Sequence, residues 1–435
     1  MKKEQLKTYI LYVFAFLIVL LVFTQILYGI VQHIGLHKSN YYNHAVTGSF
    51  YNSGPYACFI AIGFPIALRM MVCSRNKFQK WLGTGMVVLT AILIPASMSR
   101  TAILACVIGG GIALCDYIKE TFHKLPLRHI LSLCLTLISI VCVCYIVKKD
   151  SADGRLLMWR VAAKAAINAP LSGVGWDCVA GTYGEAQERY FMAGQRAEQE
   201  ILVADAPAYV FNEYLQVAIA YGAVTTSVLI ALIIGGSVTA LRNRAYALAG
   251  SVAVIAITMF ASYPLQFPIF IITIAVTLCG AWLTSRNAVT AFGACAVTAL
   301  MCVLFLTHND TVDIHRDFMA GHNLHKVHDF RKSNAVLLNL LRHTSDPMPL
   351  NIIGKNYRAL GMPDSAEHYL IRSTHRCPNR LYPHYLLMQL YGDSLFLNPD
   401  AQRREAEYIL STREKIPSLA VNEMRQEAER VLNTL

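Results

Sequence analysis

Val289–Leu306, VTAFGACAVTALMCVLFL, runs for 18 residues without a charge, and Thr307–Asp317, THNDTVDIHRD, follows it with four charges in eleven residues. An uncharged apolar run of that length is a transmembrane-helix candidate, and its abrupt end separates a membrane part from a soluble tail. The composition agrees. Of 435 residues, 55% are hydrophobic and 15% charged, with a mean hydropathy of +0.42. A soluble domain carries about 25% charged residues, which excludes an ordinary cytosolic enzyme. Residues 1–306 hold a net charge of +10 and residues 307–435 a net of +1. The basic excess therefore lies in the membrane part, where it reports topology and not nucleic-acid binding.

Working outward from that run, about nine spans of roughly 20 apolar residues are expected: Tyr9–Val31, Pro55–Val72, Trp81–Met98, Thr101–Tyr117, His129–Val147, Asn212–Leu241, Ala245–Ser262, Leu265–Thr284 and Val289–Leu306. The first is too long, and too closely followed by others, to read as a cleaved signal peptide. Lys2, Lys3 and Lys7 put the N-terminus in the cytoplasm. Alternation then makes the short loops Cys73–Lys80, Ile118–Arg128, Arg242–Arg244 and Ser285–Asn287 internal, and each is basic. The loops His33–Gly54, Ser99–Arg100 and Tyr263–Pro264, on the other side, carry only Lys38 and Arg100. The long loop 148–211 and the tail 307–435 are thereby extracytoplasmic. Of 12 cysteines, all but Cys178 and Cys377 lie in or beside spans. No CxxC or zinc spacing occurs, and a Cys178–Cys377 disulfide would suit an oxidising compartment without any spacing that argues for it.

In the tail, residues 347–380 read as a helix–turn–helix unit of about 34 residues. Gly354 and Ala366 would let two helices approach, Tyr357 and Leu370 would fill the gap, Gly361–Met362–Pro363 would turn the chain, and Pro378 would stop the second helix. The spacing resembles a tetratricopeptide unit, with a less regular second copy around Ala406–Pro417 and an extra packing helix over His315–Arg342, because one repeat cannot bury its face alone. Such arrays bind peptides or proteins, and a simple packing cap is the bland counterpart. His308, His315, His322, His325, His328 and His343 crowd the start of the tail. A three-residue spacing puts His322, His325 and His328 roughly on one helix face, but no carboxylate or cysteine at ligand spacing accompanies them. They read as solvent-facing, and no metal is assigned.

Chemistry is sought in the loop and at the span ends. Ser151–Pro170, SADGRLLMWRVAAKAAINAP, reads as a helix capped by Ser151 or Asp153 and stopped by Pro170. Arg155 and Trp159 share one face, and Arg160 and Lys164 another. Such a helix suits the membrane interface, where arginines meet lipid phosphates or hold a diphosphate with fixed charge and forked donors. Gly173 and Gly175 in LSGVGW permit a tight turn, a weak phosphate-binding signal. Asn212, Glu213 and Gln216 stand at the head of a span, where polar groups belong against protein or a wet cavity. Arg100 sits at the outer boundary between two spans, as a snorkelling residue or an anion ligand.

These pieces together resemble the O-antigen ligase and polymerase superfamily of lipid-linked glycan transferases. The matching blocks are Thr47–Pro55 (TGSFYNSGP), Ser99–Arg100–Thr101, Gly154–Arg155 with Trp159–Arg160, Pro170–Gly175 (PLSGVG) and Phe211–Gln216 (FNEYLQ). Their order over about 260 residues carries the likeness, and a tetratricopeptide-like tail resembles a subgroup of the family. The resemblance implies an all-α polytopic membrane fold with a C-terminal helical-repeat domain, in a bacterial inner membrane, with N-terminus cytoplasmic and tail periplasmic. It implies glycan transfer from undecaprenyl diphosphate to lipid A-core or another glycan acceptor, without nucleotide sugar, cofactor or metal. Arg100, with Arg155 or Arg160, would hold the diphosphate and stabilise its leaving charge. Trp159, Gly173, Gly175, Asn212, Glu213 and Gln216 would contact substrate.

Two positions depart from the family pattern. Phe211 stands where many members have His, a plausible general base, and Tyr221 stands where an acidic residue is common. Glu213 or Asp205 is left as a base. An O-antigen polymerase or a protein O-oligosaccharyltransferase would use the same parts. A scaffold acting through a protein partner of the tail is the non-enzymatic alternative. A transporter would place Asp or Glu mid-span, and none is there.

Overall fold

The computed structural model describes residues 2–41, 46–122, 149–194, 197–307, 312–414 and 418–435. Among the described residues the regular structure is helical and contains no strand. Five helices among the described residues are long and apolar enough to cross a membrane: α1 (Lys2–His33, apolar from Leu11), α2 (Ser53–Cys73), α3 (Lys77–Ala96), α9 (Glu213–Arg242) and α12 (Ala288–Leu306). Three shorter apolar helices join them, α4 (Arg100–Ala113), α10 (Tyr246–Ala261) and α11 (Pro268–Trp282). The protein is thus an all-α polytopic membrane protein. The expected span His129–Val147 lies outside the described residues, as do Lys148, His308 and Ile416–Pro417.

Two span boundaries differ from the sequence reading. Thr101–Tyr117 is two helices, α4 and α5 (Cys115–Phe122), interrupted at Leu114. Arg69 donates to Ala113 O at 2.7 Å and forks onto both Asp116 oxygens at 2.9 Å, so one side chain fixes the end of α4 and the start of α5. Leu265–Thr284 begins as a 3-10 turn, Pro264–Gln266, and only then becomes α11, because Pro268 sets the first helical turn.

By contacts the chain forms two units, 1–147 with 211–214 and 225–308, and 148–210 with 215–224 and 309–435. The sequence reading placed loop 148–211 in the membrane domain; residues 148–210 group instead with the tail.

The membrane unit packs through small residues. A Cβ on Gly250 would meet Gly109 O at 2.4 Å and Pro65 Cβ at 2.8 Å, so α4 and α10 touch backbone to backbone and α2 packs on them through Pro65. With lipid as apolar as leucine, such close approach supplies the association energy. Ser251 adds a hydrogen bond to Ile62 O at 2.8 Å. Asn52, Asn76 and Asn287 cap α2, α3 and α12, as short polar side chains do at helix starts.

In the loop-and-tail unit, α6 (Lys149–Asn168), α7 (Val179–Met192) and α8 (Glu198–Val203) come from the loop. The tail supplies α13 (Ile314–Lys326), α14 (Phe330–Leu340), α15 (Met348–Ala359), α16 (Pro363–Arg376), α17 (Tyr382–Tyr391), α18 (Pro399–Ser411) and α19 (Leu419–Thr434). His315–Arg342, expected as one packing helix, contains two, because the chain turns at His328 with φ 65°. In the α15–α16 hairpin, Gly361 turns at φ 71°, and a Cβ on Gly354 would sit 2.7 Å from Leu370 Cγ.

Loop and tail share a buried ionic knot. Glu188 on α7 accepts from Arg372 at 2.6 Å and from Arg376 at 3.2 Å, and the Arg376 side chain is wholly buried. Gln187 donates to Asp205 O at 2.9 Å and Arg376 O at 2.6 Å, and Asn379 donates to Leu202 O at 3.1 Å. Burial pushes the Arg376 pKa down, although the Glu188 charge opposes the shift. Cys178 Sγ lies 3.9 Å from His343 Nδ1 and Cys377 Sγ donates to Asn379 at 3.4 Å, and the disulfide considered above is not formed.

Two stability outcomes follow. Gly250→Ala forces α4, α2 and α10 apart and should cost about 1–3 kcal/mol, read as a lower thermal midpoint in detergent. Glu188→Ala strands two guanidinium groups and should cost about 3–5 kcal/mol, read as early protease cleavage within 148–210.

Candidate functional site

The block TGSF is held from α1. Gln32 accepts from Thr47 N at 2.9 Å and Gly48 N at 2.7 Å, and Gln25 accepts from Ser49 N at 3.1 Å. Ser53 then donates to Ser97 O at 3.0 Å, joining this block to the α3–α4 junction within the membrane unit. At that junction Met98 adopts φ 54°, and Ser99 caps α4 by accepting from Ala102 N at 3.4 Å. Arg100 is therefore the first residue of α4 and is half-buried. A cation at a helix N-terminus gains nothing from the helix dipole, so a structural benefit at the helix end does not explain its placement.

On α6, the chain is already helical at Lys149, the first described residue of this stretch, so Ser151 and Asp153 lie within helix and are not caps. Arg155 and Trp159 are half-buried on one face. Arg160, on another, pairs with Glu200 of α8 and donates to Tyr190 OH at 3.2 Å. Tyr190 OH itself donates to Glu200 at 3.0 Å, and Lys164 Nζ lies 4.7 Å from the Tyr190 ring centre. The Tyr190 hydrogen bond, the neighbouring tyrosine and the Glu200 charge raise the Arg160 pKa. The structure thus separates two arginines that the sequence left equivalent: Arg160 joins α6, α7 and α8.

Gly173 and Gly175 have a backbone task. Helix α9 loses helical geometry at Gly222, with φ 81° and ψ 175°, a conformation essentially reserved for glycine. A break there frees carbonyls of the preceding turn. Ile219 O accepts from Val174 N and Ala220 O from Gly175 N, both at 3.0 Å. Close approach explains Gly173 and Gly222, and a φ of 93° explains Gly175. A Cβ on Gly173 would lie 2.2 Å from Ala220 O, and one on Gly222 would lie 1.8 Å from Leu171 O. Trp176 stacks on Tyr221, ring centres 5.9 Å apart.

At the head of α9, Asn212, Glu213 and Gln216 are all buried. Gln216 accepts from Val210 N at 3.1 Å. Glu213 Oε1 accepts from Leu265 N at 2.7 Å, pinning the Pro264–Gln266 turn, while its Oε2 has no hydrogen-bond partner. Phe211, at φ 55°, packs edge-to-face on Tyr263 at 4.9 Å. Tyr263 continues through Phe267 to Phe50, Phe59 and Phe270. The position of the family's histidine is thus the end of an aromatic cluster.

The tail histidines do separate jobs. His325 bonds Asn356 at 2.6 Å, His322 stacks on Phe318, and His328 packs on Phe330. His343 meets Asp177 and Cys178, a grouping the sequence reading missed because 165 residues separate Cys178 from His343.

The order of blocks on a helical membrane scaffold fits a class, the polytopic membrane enzymes of the O-antigen ligase type. Residues 85–230 match the family model described as O-antigen ligase. Over that stretch, about a third of its length, the chain is similar to the O-antigen ligase family, whose members are glycosyltransferase- and ligase-type membrane enzymes. No curated protein and no solved structure matches it.

Gly222→Ala should detach Leu171–Gly175 from α9. Amide hydrogen exchange checks this: Val174 and Gly175 should be protected in the wild type and should exchange about 5–150-fold faster in the variant, since a strained backbone costs about 1–3 kcal/mol.

Proposed function

We propose that the protein transfers a glycan from undecaprenyl diphosphate to lipid A-core on the periplasmic face of a bacterial inner membrane, as an O-antigen ligase does. One observation carries this reading. The family match, residues 85–230, encloses Ser99–Thr101, Gly154–Arg160, Pro170–Gly175 and Phe211–Gln216 in family order. The cytoplasmic N-terminus and periplasmic tail rest on the basic short loops, and the tail is proposed as a helical repeat that receives a protein partner.

In this reaction the acceptor hydroxyl oxygen bonds to the anomeric carbon of the donor sugar, and the bond from that carbon to the phosphate oxygen breaks. The electron pair leaves with undecaprenyl diphosphate, and the hydroxyl proton passes to a base. The departing oxygen gains charge, which fixed guanidinium groups stabilise more strongly than they stabilise the bound donor. Arg100 and Arg155 are assigned that role. Arg160, which pairs with Glu200 and bonds Tyr190 on neighbouring helices, is assigned to positioning α6. Phe211 has no ring nitrogen to take the proton. Glu213 is buried and engaged with Leu265 N, whereas Asp205 is exposed, which favours Asp205 as the base.

Arg100→Gln and Arg155→Gln should each lower the turnover of carrier-linked glycan about 10²–10³-fold, the loss typical of removing one charge-stabilising donor, with normal insertion and folding. Arg160→Gln should keep most of the turnover and lower the thermal midpoint. The check is gel analysis of lipid A-core carrying glycan, alongside detergent-phase unfolding of each variant. Wild-type turnover in both Arg100→Gln and Arg155→Gln would overturn the proposal.

A further inference from the structure

In the loop-and-tail unit, the 3-10 turn Trp176–Cys178 and the segment that follows α14 bring three metal-ligand side chains together. A carboxylate oxygen of Asp177, Cys178 Sγ and a ring nitrogen of His343 all lie within 4.8 Å of one another. His343 Nδ1 is 3.6 Å from Asp177 Oδ2 and 3.9 Å from Cys178 Sγ. A tetrahedral zinc ion with bonds of about 2.3 Å to sulfur and about 2.0–2.2 Å to nitrogen and oxygen sets its ligand atoms about 3.4–3.6 Å apart. The two measured distances exceed that by a few tenths of an ångström, within reach of small side-chain rotations.

The backbone fixes this spacing. A Cβ on Gly181 would lie 2.1 Å from Arg342 O and 2.7 Å from Leu341 O, so the first turn of α7 rests directly on the chain that carries His343. Asp177 O also stands 3.3 Å from His343 Nδ1. The side chains are enclosed without being sealed, His343 at 11% exposure and Asp177 at 26%, which leaves an entry path. The donor set decides among cations. One thiolate, one imidazole and one carboxylate suit a borderline ion, whereas magnesium and calcium take oxygen ligands.

We propose that Asp177, Cys178 and His343 bind one zinc-class divalent cation that cross-links the loop to the tail, with water as the fourth ligand. Binding forms a metal–sulfur bond and releases the Cys178 thiol proton to solvent, with no change of oxidation state. The role is structural and independent of glycan transfer, so failure of either proposal leaves the other standing.

Cobalt(II) is the probe, because a cobalt–thiolate bond absorbs in the near ultraviolet. The full chain, purified in detergent and stripped with a chelator, should take up one cobalt with a thiolate-to-metal band and unfold at a higher temperature when loaded. Cys178→Ser should abolish the band, and Cys73→Ser, an exposed cysteine of the membrane unit, should leave it intact. Asp177→Asn and His343→Gln, which keep side-chain volume, should each weaken affinity at least about tenfold. A wild-type chain that binds cobalt without the band, or a band that survives Cys178→Ser, would overturn the site. If Cys178→Ser does not fold, unchanged affinity in both other variants would overturn it equally.

Discussion

A backbone carbonyl that loses its helical partner must find another donor, and at the Gly222 break in α9 it finds one in the PLSGVG loop. The amides of Val174 and Gly175 reach the carbonyls of Ile219 and Ala220. An unpaired carbonyl in an apolar environment costs several kcal/mol, so the break and the loop require each other. This exchange fixes the geometry of two blocks on which the family likeness rests. It also explains why glycine recurs there: Gly173 and Gly222 each abut a carbonyl at a distance that no side chain tolerates.

The same reasoning limits what glycine patterns disclose. A G-x-G pair reads alike whether it cradles phosphate or admits another backbone, and from Leu171–Trp176 alone the first reading is natural. The second becomes visible only with Ile219 and Ala220, more than forty residues downstream. Arg155 and Arg160 pose a similar ambiguity. Helical spacing puts them on different faces, and only the Glu200 carboxylate and Tyr190 hydroxyl, on other helices, show that Arg160 joins its helix to α7 and α8.

The legible features are those whose cause is local. Apolar runs mark α1, α2, α3, α9 and α12 because spanning a bilayer demands one uninterrupted composition. Gly354, Gly361 and Leu370 announce the α15–α16 hairpin because its packing lies within a short stretch of sequence. Hidden features depend on distant partners. Glu188 with Arg372 and Arg376, and Asp177 with Cys178 and His343, join loop to tail across more than 160 residues. For the same reason the sequence alone groups the loop with the membrane domain. Hydropathy places its ends beside spans, while its burial is with the tail.

The proposed chemistry rests on charge. A lipid diphosphate leaving group would need fixed cations, and the candidate arginines stand in blocks enclosed by the O-antigen ligase match, while Phe211 in place of the usual imidazole would leave the base to a carboxylate. The direct measurement is reconstitution of the full chain in vesicles with undecaprenyl-diphosphate-linked glycan and lipid A-core, following undecaprenyl diphosphate release. Release in proportion to glycan joined to lipid A-core is the predicted result. No release above protein-free vesicles, from folded protein with both substrates present, would contradict the account.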